Sequence, residues 1–254
     1  MNKKMKKNKS YLIGEVGINH NGDIKIAKQI FKEFDSGIQF EQLIEDGSEV
    51  KYGDIAFYID GNSQNILGAE RLVLNVMQRM SAIATLTKKY VNELNGLKTK
   101  VLDTRKTTPL LRFLEKEAVL IGGGLNHRMG LYDMIMLKDN HIDFAGGIEK
   151  AICKTTDYLK SNNLNLKIEV EARDIDEVKE ILRVGGIQRI MLDNFSFEDI
   201  RTAVALIGDK AETEASGGIT LNSLRKYAEC GVDFISVGAL THSAQNMDLS
   251  LKAV

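Results

Sequence analysis

The chain has 254 residues, 43% of them hydrophobic and 27% charged, which is the composition of an ordinary globular protein with a core of its own. Its formal net charge is −1, so no excess of one sign attracts it to nucleic acid or to a membrane, and neither is expected as a partner. Any site for a charged ligand must therefore be a local arrangement. The two cysteines, Cys153 and Cys230, lack metal-ligand spacing and are predicted to be buried, reduced thiols.

The first ten residues, MNKKMKKNKS, are basic like the start of a secretory signal. The apolar stretch that follows is short, however, and it is interrupted by Glu15. No later apolar run has the length of a membrane-spanning helix. We therefore expect a cytoplasmic protein, and we treat residues 1–26 as an atypical N-terminal segment.

The sequence pattern of residues 27–98 predicts a small α/β domain. The β-rich segments between residues 38 and 61 are separated by two turn signals, Asp46-Gly47 and Gly53-Asp54. Residues 65–94 then show the 3.6-residue apolar repeat of one long helix.

From about residue 100, short β-rich segments alternate with amphipathic helical segments, which is the pattern of βα units around a parallel sheet. Strand ends are predicted at intervals of 22 to 33 residues, and this regularity favours a barrel over residues 99–242. The predicted ends lie near Arg105, Lys138, Glu171, Asp193, Ser216 and Gly238. Residues 243–254 are predicted as a C-terminal helix that returns to the small domain.

In a parallel barrel, the side chains at the carboxyl ends of the strands line the mouth where ligands bind. Cations predominate near the first two of these ends. Arg105 and Lys106 follow one strand, Lys138 follows the next, and His127 and Arg128 come after a run of three glycines. Several converging cations suit a small dicarboxylate or a pyrophosphate. The alternative is a set of unrelated surface charges.

The next two strand ends carry carboxylates, Glu171 and Asp193. Such a pair suits the stabilisation of an oxocarbenium-like carbon, or the binding of ribose hydroxyls and Mg²⁺. The alternative is a salt-bridge network that closes the barrel.

Glycine-rich turns follow the last two strands. Ser216-Gly217-Gly218 precedes a helix that starts at Thr220, so its free backbone N–H groups suit a phosphate. Gly238 occupies the same kind of position one unit later. The alternative is that each turn is simply a tight βα connection.

Seven segments, in chain order, carry a family resemblance: DTRKTTPLLR, GGGLNHR, LKDNH, IEVEA, LDN, EASGG and SVGALTHS. With GAERLVLN and SAIATLT nearer the N-terminus, they resemble quinolinate phosphoribosyltransferase from about Ala27 to Lys252. The resemblance implies a type II phosphoribosyltransferase, in which an α/β sandwich domain packs on an incomplete TIM-like β/α barrel. It further implies a pentosyl-transferring enzyme of de novo NAD biosynthesis. Such an enzyme converts quinolinate and phosphoribosyl pyrophosphate to nicotinate mononucleotide, carbon dioxide and pyrophosphate.

The same resemblance implies the site residues and the partners. The cations expected to bind quinolinate are Arg105, His127, Arg128, Lys138 and, from the neighbouring subunit of a homodimer or hexamer, Arg71. The residues expected to act in catalysis are Lys106, Lys138, Glu171 and Asp193. The 5′-phosphate is expected at Ser216, Gly217, Gly218 and Gly238. Mg²⁺ is expected to be held mainly by phosphoribosyl pyrophosphate, with Glu171 and Asp193 as the candidate side-chain ligands, and no organic cofactor is needed.

Three features depart from the family pattern. Ala82 replaces a usual glycine, and Leu110 stands where glycine is common after the proline. Residues 11–23, YLIGEVGINHNGD, look instead like the first barrel strand of sialic acid synthases. Two alternatives follow: an inactive or specialised relative that acts on another pyridine carboxylate, and a sialate-type synthase.

Overall fold

The computed structural model describes residues 9–14, 19–20 and 24–253. The chain divides into two compact units. The first comprises Met1–Lys89, Thr107–Gly124 and Leu240–Val254, and the second comprises Tyr90–Lys106 and Leu125–Ala239.

The elements up to the first barrel strand are β1 (Lys9–Gly14), β2 (Asn19–His20), α1 (Ile24–Phe34), β3 (Gln39–Gln42), β4 (Glu49–Val50), β5 (Ile55–Asp60), α2 (Ser63–Glu93) and β6 (Lys100–Leu102). Those that follow, as far as the third barrel strand, are α3 (Arg112–Ile121), β7 (Ile135–Leu137), α4 (Asp139–Ala145), α5 (Ile148–Ser161) and β8 (Ile168–Ala172). The last are α6 (Ile175–Val184), β9 (Arg189–Asp193), α7 (Phe197–Ile207), β10 (Glu212–Ser216), α8 (Leu221–Ala228), β11 (Phe234–Ser236), α9 (Ala239–His242) and β12 (Leu249–Ala253).

The first unit is built on a four-stranded antiparallel sheet with the order β12-β1-β5-β3. Phe31 of α1 and Phe57 of β5 are fully buried in its core, with ring centroids 6.3 Å apart in an edge-to-face arrangement. Phe40 of β3 stacks on Phe57 at 4.4 Å. Each such pair contributes about 0.5–1.5 kcal/mol beyond the burial of its surface. The predicted small α/β domain and its long helix are thus present.

A strand, and not the predicted helix, forms residues 249–253. β12 pairs with β1, with Leu251 opposite Leu12. The helix prediction over residues 243–254 is wrong because Leu249 and Leu251 alternate with polar residues, which is the two-residue period of a strand. Leu249 is buried in the core of the first unit, so the segment does belong there.

The atypical N-terminal segment contributes β1 to the same sheet, between β12 and β5. Residues 11–14 of the stretch that looks like a sialic acid synthase therefore pair with antiparallel strands. The expectation of a barrel strand there is wrong, because the five-residue pairing with β12 fixes this segment in the sheet. Residues 15–18 and 21–23 of that stretch lie outside the described residues.

Residues 107–124 also belong to the first unit, although the sequence predicted them within the barrel domain. Glu115 of α3 is fully buried, and its Oε1 accepts hydrogen bonds from Arg79 of α2 at 2.8 and 3.0 Å. The same carboxylate accepts from the Thr108 hydroxyl at 2.7 Å. Loss of one partner of a buried ion pair strongly destabilises a protein, because the other charge is left buried and unpaired. This pair therefore holds residues 107–124 against α2.

The glycine run after α3 is explained by close packing on the same helix. A Cβ atom on Gly122 would lie 2.6 Å from Thr87 Cβ, and one on Gly124 would lie 2.8 Å from Thr87 Cγ2. Gly123 has a φ of 85°, which favours glycine. The run of three glycines before His127 and Arg128 therefore serves a tight, closely packed turn.

The second unit contains a six-stranded parallel sheet with the order β6-β11-β10-β9-β8-β7. β6 and β7 form its two edges, so the barrel is incomplete, as predicted. Each strand ends within three residues of the end predicted from the sequence.

Burial is as expected for one of the two cysteines. Cys230 is buried, and burial raises the pKa of its thiol. Cys153 is exposed, so the prediction of a buried thiol there is wrong. The apolar stripe of α5 runs through Ile148, Ala151 and Ile152, which leaves the next residue on the solvent side.

Within the described part of the chain, no helix combines the length and the apolar character needed to cross a membrane.

Candidate active site

The barrel strands have one polar face. Glu169 of β8 and Glu214 of β10 both lie within 3.4 Å of Nε2 of His127, so they point to the same side of the sheet. Because successive side chains of a strand alternate, Glu171 and Ser216 lie on that side as well. The polar face therefore ends, at the carboxyl edge of the sheet, in residues that were predicted to line the mouth.

Lys138 lies at the junction between β7 and α4, where its backbone N–H donates to Nδ1 of His141 at 3.0 Å. Its ammonium group donates to Oε2 of Glu171 at 2.8 Å. The Glu171 side chain is 6% exposed, whereas that of Lys138 is 47% exposed. The lysine is thus held by a buried carboxylate while part of its charge faces solvent, where an anion would bind.

Two arginines near the first strand end interact electrostatically. Arg105 is exposed in the loop after β6, and Arg128 is half-buried, with Nη1 donating to the Met134 carbonyl at 3.3 Å. Burial lowers the pKa of Arg128, and the charge of Arg105 lowers it further. Two guanidinium groups near enough to repel each other gain favourable energy when an anion binds between them.

Asp193 ends β9 and lies opposite Ser216 of β10 in the parallel register. It is half-buried, and its Oδ2 accepts from Nδ2 of Asn194 at 2.6 Å. Since β8 and β9 are neighbours, Asp193 and Glu171 provide two carboxylates at one edge of the sheet. Gly238 lies two residues after β11, just before α9.

The turn after β10 has the backbone that glycine permits. Gly217 and Gly218 have φ values of 100° and 59°. A Cβ atom on Gly217 would overlap the side chain of Asn194 and would lie 2.8 Å from its backbone nitrogen. Thr220 then caps α8, where its backbone N–H donates to Ser223 Oγ at 3.0 Å. The tight connection is confirmed, and binding of a phosphate there stays a prediction.

Two other predicted site residues are exposed. Lys106 follows Arg105, and its backbone N–H donates to Thr104 Oγ1 at 3.1 Å. Arg71 is exposed on α2 of the first unit. Their contacts with substrate, including the delivery of Arg71 to a neighbouring subunit, stay predictions.

His127 is only 7% exposed, and protein groups surround its ring. Its Nε2 lies 3.0 Å from Oε2 of Glu169 and 3.4 Å from Oε2 of Glu214. Its Nδ1 accepts the backbone N–H of Arg128 at 2.7 Å, and its own backbone N–H donates to Asp103 Oδ1 at 2.8 Å. A direct contact between this ring and a substrate stays a prediction.

The protonation of this buried cluster is coupled. Burial lowers the pKa of His127, but the two carboxylates outweigh it and raise the value to about 9. The Arg128 amide opposes a second ring proton, because it already donates to Nδ1. Burial, together with Glu214, raises the pKa of Glu169 to about 7. Burial also raises the pKa of Glu214, but His127 and Arg189 hold it below its ordinary value. The Arg128 N–H thus makes Nε2 the ring nitrogen that carries a proton, and the raised pKa of Glu169 makes it the more readily protonated of the two carboxylates.

Sequence reasoning missed three members of this polar face: Glu169, Arg189 and Glu214. Arg189 of β9 donates to Glu214 at 3.0 Å and to Glu212 at 3.1 Å, and its guanidinium lies 4.1 Å from the centroid of the Phe234 ring. The signal was visible, since polar residues recur at every second position of β8 and of β10. The rule that ligands bind at the carboxyl ends of strands does not select these residues, because each lies before the end of its strand.

An incomplete TIM-like barrel whose strands end in guanidinium groups, carboxylates and a glycine-rich turn defines the class of barrel phosphoribosyltransferases. Two family models match the chain. The model for the N-terminal domain of quinolinate phosphoribosyl transferase matches residues 24–81, and that for the C-terminal domain matches residues 83–252. The chain therefore belongs to the quinolinate phosphoribosyltransferase family.

Curated relatives and solved structures support membership of the same family. The chain is 47% identical over 243 residues to quinolinate phosphoribosyltransferase [decarboxylating] 2, mitochondrial, of Nicotiana glauca, covering 90% of this chain and 69% of that protein. It is 42% identical to the probable nicotinate-nucleotide pyrophosphorylase [carboxylating] of Bacillus subtilis, covering 89% and 77%. The solved nicotinate-nucleotide pyrophosphorylase of Francisella tularensis is 40% identical with a TM-score of 0.91, covering 98% of this chain and 86% of that one.

Proposed function

We propose that this chain transfers a phosphoribosyl group from phosphoribosyl pyrophosphate to quinolinate and releases carbon dioxide, as a step of de novo NAD biosynthesis. The observation that supports this most directly is the Lys138–Glu171 pair at the carboxyl edge of the sheet, in the same barrel as two arginines whose charges interact, Arg105 and Arg128. A dicarboxylate substrate needs several cations, and an attacked sugar carbon needs nearby carboxylates. The names of the relatives state the same substrate.

Binding of quinolinate is the first step. Arginine is the side chain best suited to grip a carboxylate by two parallel hydrogen bonds, so Arg105 and Arg128 would hold one carboxylate group. Lys138, whose ammonium is partly exposed, would hold the second. Lys106 would add a further cation, and His127 would complete the quinolinate site from the turn that carries Arg128.

Transfer of the ribosyl group is the second step. The bond between the anomeric carbon and the pyrophosphate oxygen breaks, and the pyridine nitrogen forms the new bond to that carbon. Glu171 and Asp193, on neighbouring strands, would stabilise the positive charge that develops on the ribose. Ser216, Gly217, Gly218 and Gly238 would bind the 5′-phosphate through backbone N–H groups.

Loss of carbon dioxide is the last step. The pyridinium formed by ribosyl transfer withdraws electrons from the ring, so the bond from the 2-position to its carboxylate breaks and leaves its electron pair on the ring carbon. A proton from solvent then replaces the carboxylate. The fixed charges of the arginines would keep the remaining carboxylate in position during this step.

Mg²⁺ enters as part of the phosphoribosyl pyrophosphate substrate. Carboxylate oxygens are the ligands that it prefers, and Glu171 and Asp193 supply them at one edge of the sheet, so these residues fit the ion. The ion would neutralise the charge of the leaving pyrophosphate. The buried His127–Glu169–Glu214 cluster fits it less well, because Nε2 of the ring carries a proton when Nδ1 accepts the Arg128 N–H.

A homodimer or a hexamer completes the proposal, with Arg71 delivered to the quinolinate site of the neighbouring subunit. Leu67 and Leu72 on the same helix are 66% and 49% exposed. Leu67 and Arg71 are four residues apart and share one side of α2. Exposed apolar side chains beside a charged one are typical of a surface that a partner covers. The cytoplasmic location also remains a proposal.

An assay of the full chain tests the function. Purified protein is incubated with quinolinate, phosphoribosyl pyrophosphate and Mg²⁺, and nicotinate mononucleotide and carbon dioxide are measured together. We expect equal amounts of the two products. Nicotinate, which has no 2-carboxylate, serves as the control substrate and should react poorly. Absence of both products contradicts the proposal, and turnover of a different pyridine dicarboxylate alone would favour the specialised relative.

A further inference from the structure

Glu169 and Glu214 have no role in the steps proposed above, yet they lie at the centre of the polar face of the barrel. Both residues are 0% exposed. Burying a carboxylate costs free energy that an ionic partner recovers only in part, and apolar replacements of buried ion pairs are often neutral or stabilising. Two buried carboxylates in one core are therefore poorly explained by stability alone.

The carboxylates face a ring whose orientation is fixed. The backbone N–H of Arg128 donates to Nδ1 of His127 at 2.7 Å, so that nitrogen presents a lone pair. The proton of the neutral ring is then on Nε2, which lies 3.0 Å from Glu169 and 3.4 Å from Glu214. Nε2 of the ring thus faces the two carboxylates at ion-pair distance, and Nδ1 accepts from the chain that follows it.

The same ring belongs to a turn that is held at several other points. The buried carboxylate of Asp103 accepts the backbone N–H of His127 at 2.8 Å. Beyond the ring, Arg128 donates from Nη1 to the Met134 carbonyl at 3.3 Å. A change in the angle of the His127 ring would therefore move the Arg128 amide and, with it, the guanidinium beside Arg105.

We propose that Glu169 and Glu214 are positioning residues for quinolinate binding, because they hold the His127 ring and the ring holds the turn that presents Arg128. They do not touch the substrate. The proposal rests on the proposed function, since quinolinate is the ligand that Arg128 is expected to bind. In metal sites, mutation of the residues that orient the metal-binding side chains typically lowers affinity or activity by about 10- to 100-fold. We expect an effect of similar size on quinolinate binding here.

Substitutions at the two carboxylates provide the kinetic test. Glu169→Ala and Glu214→Ala should each raise the KM for quinolinate by about tenfold or more, and should change the KM for phosphoribosyl pyrophosphate by less than about twofold. Glu169→Gln and Glu214→Gln should recover most of the loss, since the amide has the shape of the carboxylate and presents an oxygen to Nε2 of His127. If the two carboxylates had a purely structural role, the KM values for quinolinate and for phosphoribosyl pyrophosphate would change together. The Gln variants would then not restore the KM for quinolinate selectively.

Glu212→Gln is the matched control. Glu212 lies on the same strand, two residues before Glu214, and it also pairs with Arg189, but its side chain is 38% exposed. Both KM values should stay within about twofold of those of the wild-type chain. Equal changes in both KM values for Glu169→Gln, Glu214→Gln and this control would overturn the proposal.

A spectroscopic measurement on the full chain is independent of turnover. With ¹⁵N-labelled histidine, the His127 ring should show a protonated Nε2 and an unprotonated Nδ1, and this signature should be lost in Glu169→Ala and Glu214→Ala. It should persist in both Gln variants. The opposite tautomer, with the proton on Nδ1, would overturn the proposal even if the alanine variants do not fold. If the ring has the expected signature but no quinolinate is turned over, the proposed function fails while the hydrogen-bonded cluster stands.

Discussion

Nζ of Lys138 lies 2.8 Å from Oε2 of Glu171 across the neighbouring strands β7 and β8. One partner is buried and the other is half exposed, so the pair combines a rigid anion with a cation that reaches solvent. Both residues lie at strand ends, where barrel enzymes carry their chemistry. A substrate anion that contacts Lys138 would therefore meet a charge held in place by Glu171.

The substitution Lys138→Met should lower the activity of the enzyme much more than the stability of its fold. We expect kcat/KM to fall about 100-fold or more, since a fixed cation at a developing charge contributes several kcal/mol to the transition state. The free energy of unfolding should fall by about 1–3 kcal/mol, because Lys138 is half exposed but its loss leaves the buried Glu171 carboxylate without its partner. Steady-state kinetics and urea unfolding measure the two effects. A stability loss without a kinetic loss would favour the salt-bridge alternative.

Arg105→Ala should reduce kcat/KM by about 100- to 1000-fold while the chain stays folded, because the side chain is exposed in the loop after β6. Arg105→Lys should recover only part of the activity, since a lysine cannot grip a carboxylate with two parallel bonds. Arg173→Ala is the control, because Arg173 is an exposed arginine after β8 that pairs with Glu177. Equal losses for Arg105→Ala and this control would contradict a specific role for Arg105.

The barrel was readable from the sequence because short β-rich segments alternate with amphipathic helical segments, and each β-rich segment is followed by a polar residue or a glycine. Asp193 and Ser216 end their strands at the residues predicted. The candidate cations followed from the same rule, since position at a strand end is a local property of the chain.

Relations between distant segments were not readable in this way. The pairing of β1 with β12 joins residues more than 200 positions apart, and nothing local indicates it. The cluster of Glu169, Glu214 and His127 likewise depends on which strands are neighbours. The two-residue period of β8 puts Glu169 on the same side as Glu171, but only the strand order shows that a second carboxylate and a histidine meet it there.

Gly217→Ala should weaken the binding of phosphoribosyl pyrophosphate. The residue has a φ of 100°, and a Cβ atom would overlap Asn194, so the turn must shift. We expect the free energy of unfolding to fall by about 1–3 kcal/mol and the KM for phosphoribosyl pyrophosphate to rise more than that for quinolinate. Gly208→Ala is the control, since Gly208 has a φ of 52° but open space around it. Kinetics that change equally in both variants would argue against a phosphate site.

Leu110→Gly should stabilise the chain slightly. Leu110 has a φ of 66° and is 94% exposed, so the leucine contributes backbone strain and almost no burial. The substitution should relieve about 1–2 kcal/mol of backbone strain. The greater freedom of glycine in the unfolded chain offsets part of this, so we expect the free energy of unfolding to rise by about 0.5 kcal/mol. Leu111→Gly is the control and should destabilise, because Leu111 has a φ of −102°. Thermal unfolding compares the two, and a loss in both would contradict the strain argument.

Asp233 should make stability depend on pH in the acid range. Burial raises the pKa of its carboxyl group, but hydrogen bonds from Thr213 and Lys98 outweigh burial and hold the value below the ordinary 3.8. Thr213 donates from its backbone N–H at 2.9 Å and from its hydroxyl at 2.8 Å, and Lys98 donates at 2.9 Å. The folded chain therefore binds this proton less readily than the unfolded chain does.

The sign of the dependence follows from linkage. The stabilisation from Asp233 is fully present above pH 3.8 and is lost as the pH falls from there through the lowered pKa of the folded state. Urea unfolding from pH 7 down to the acid limit should show a loss of free energy that is smaller in Asp233→Asn, which has no carboxyl to protonate. Asp209→Asn, at an exposed position just before β10, should retain the wild-type slope. An unchanged slope in Asp233→Asn would show that the hydrogen bonds to Thr213 and Lys98 do not favour the ionised carboxylate.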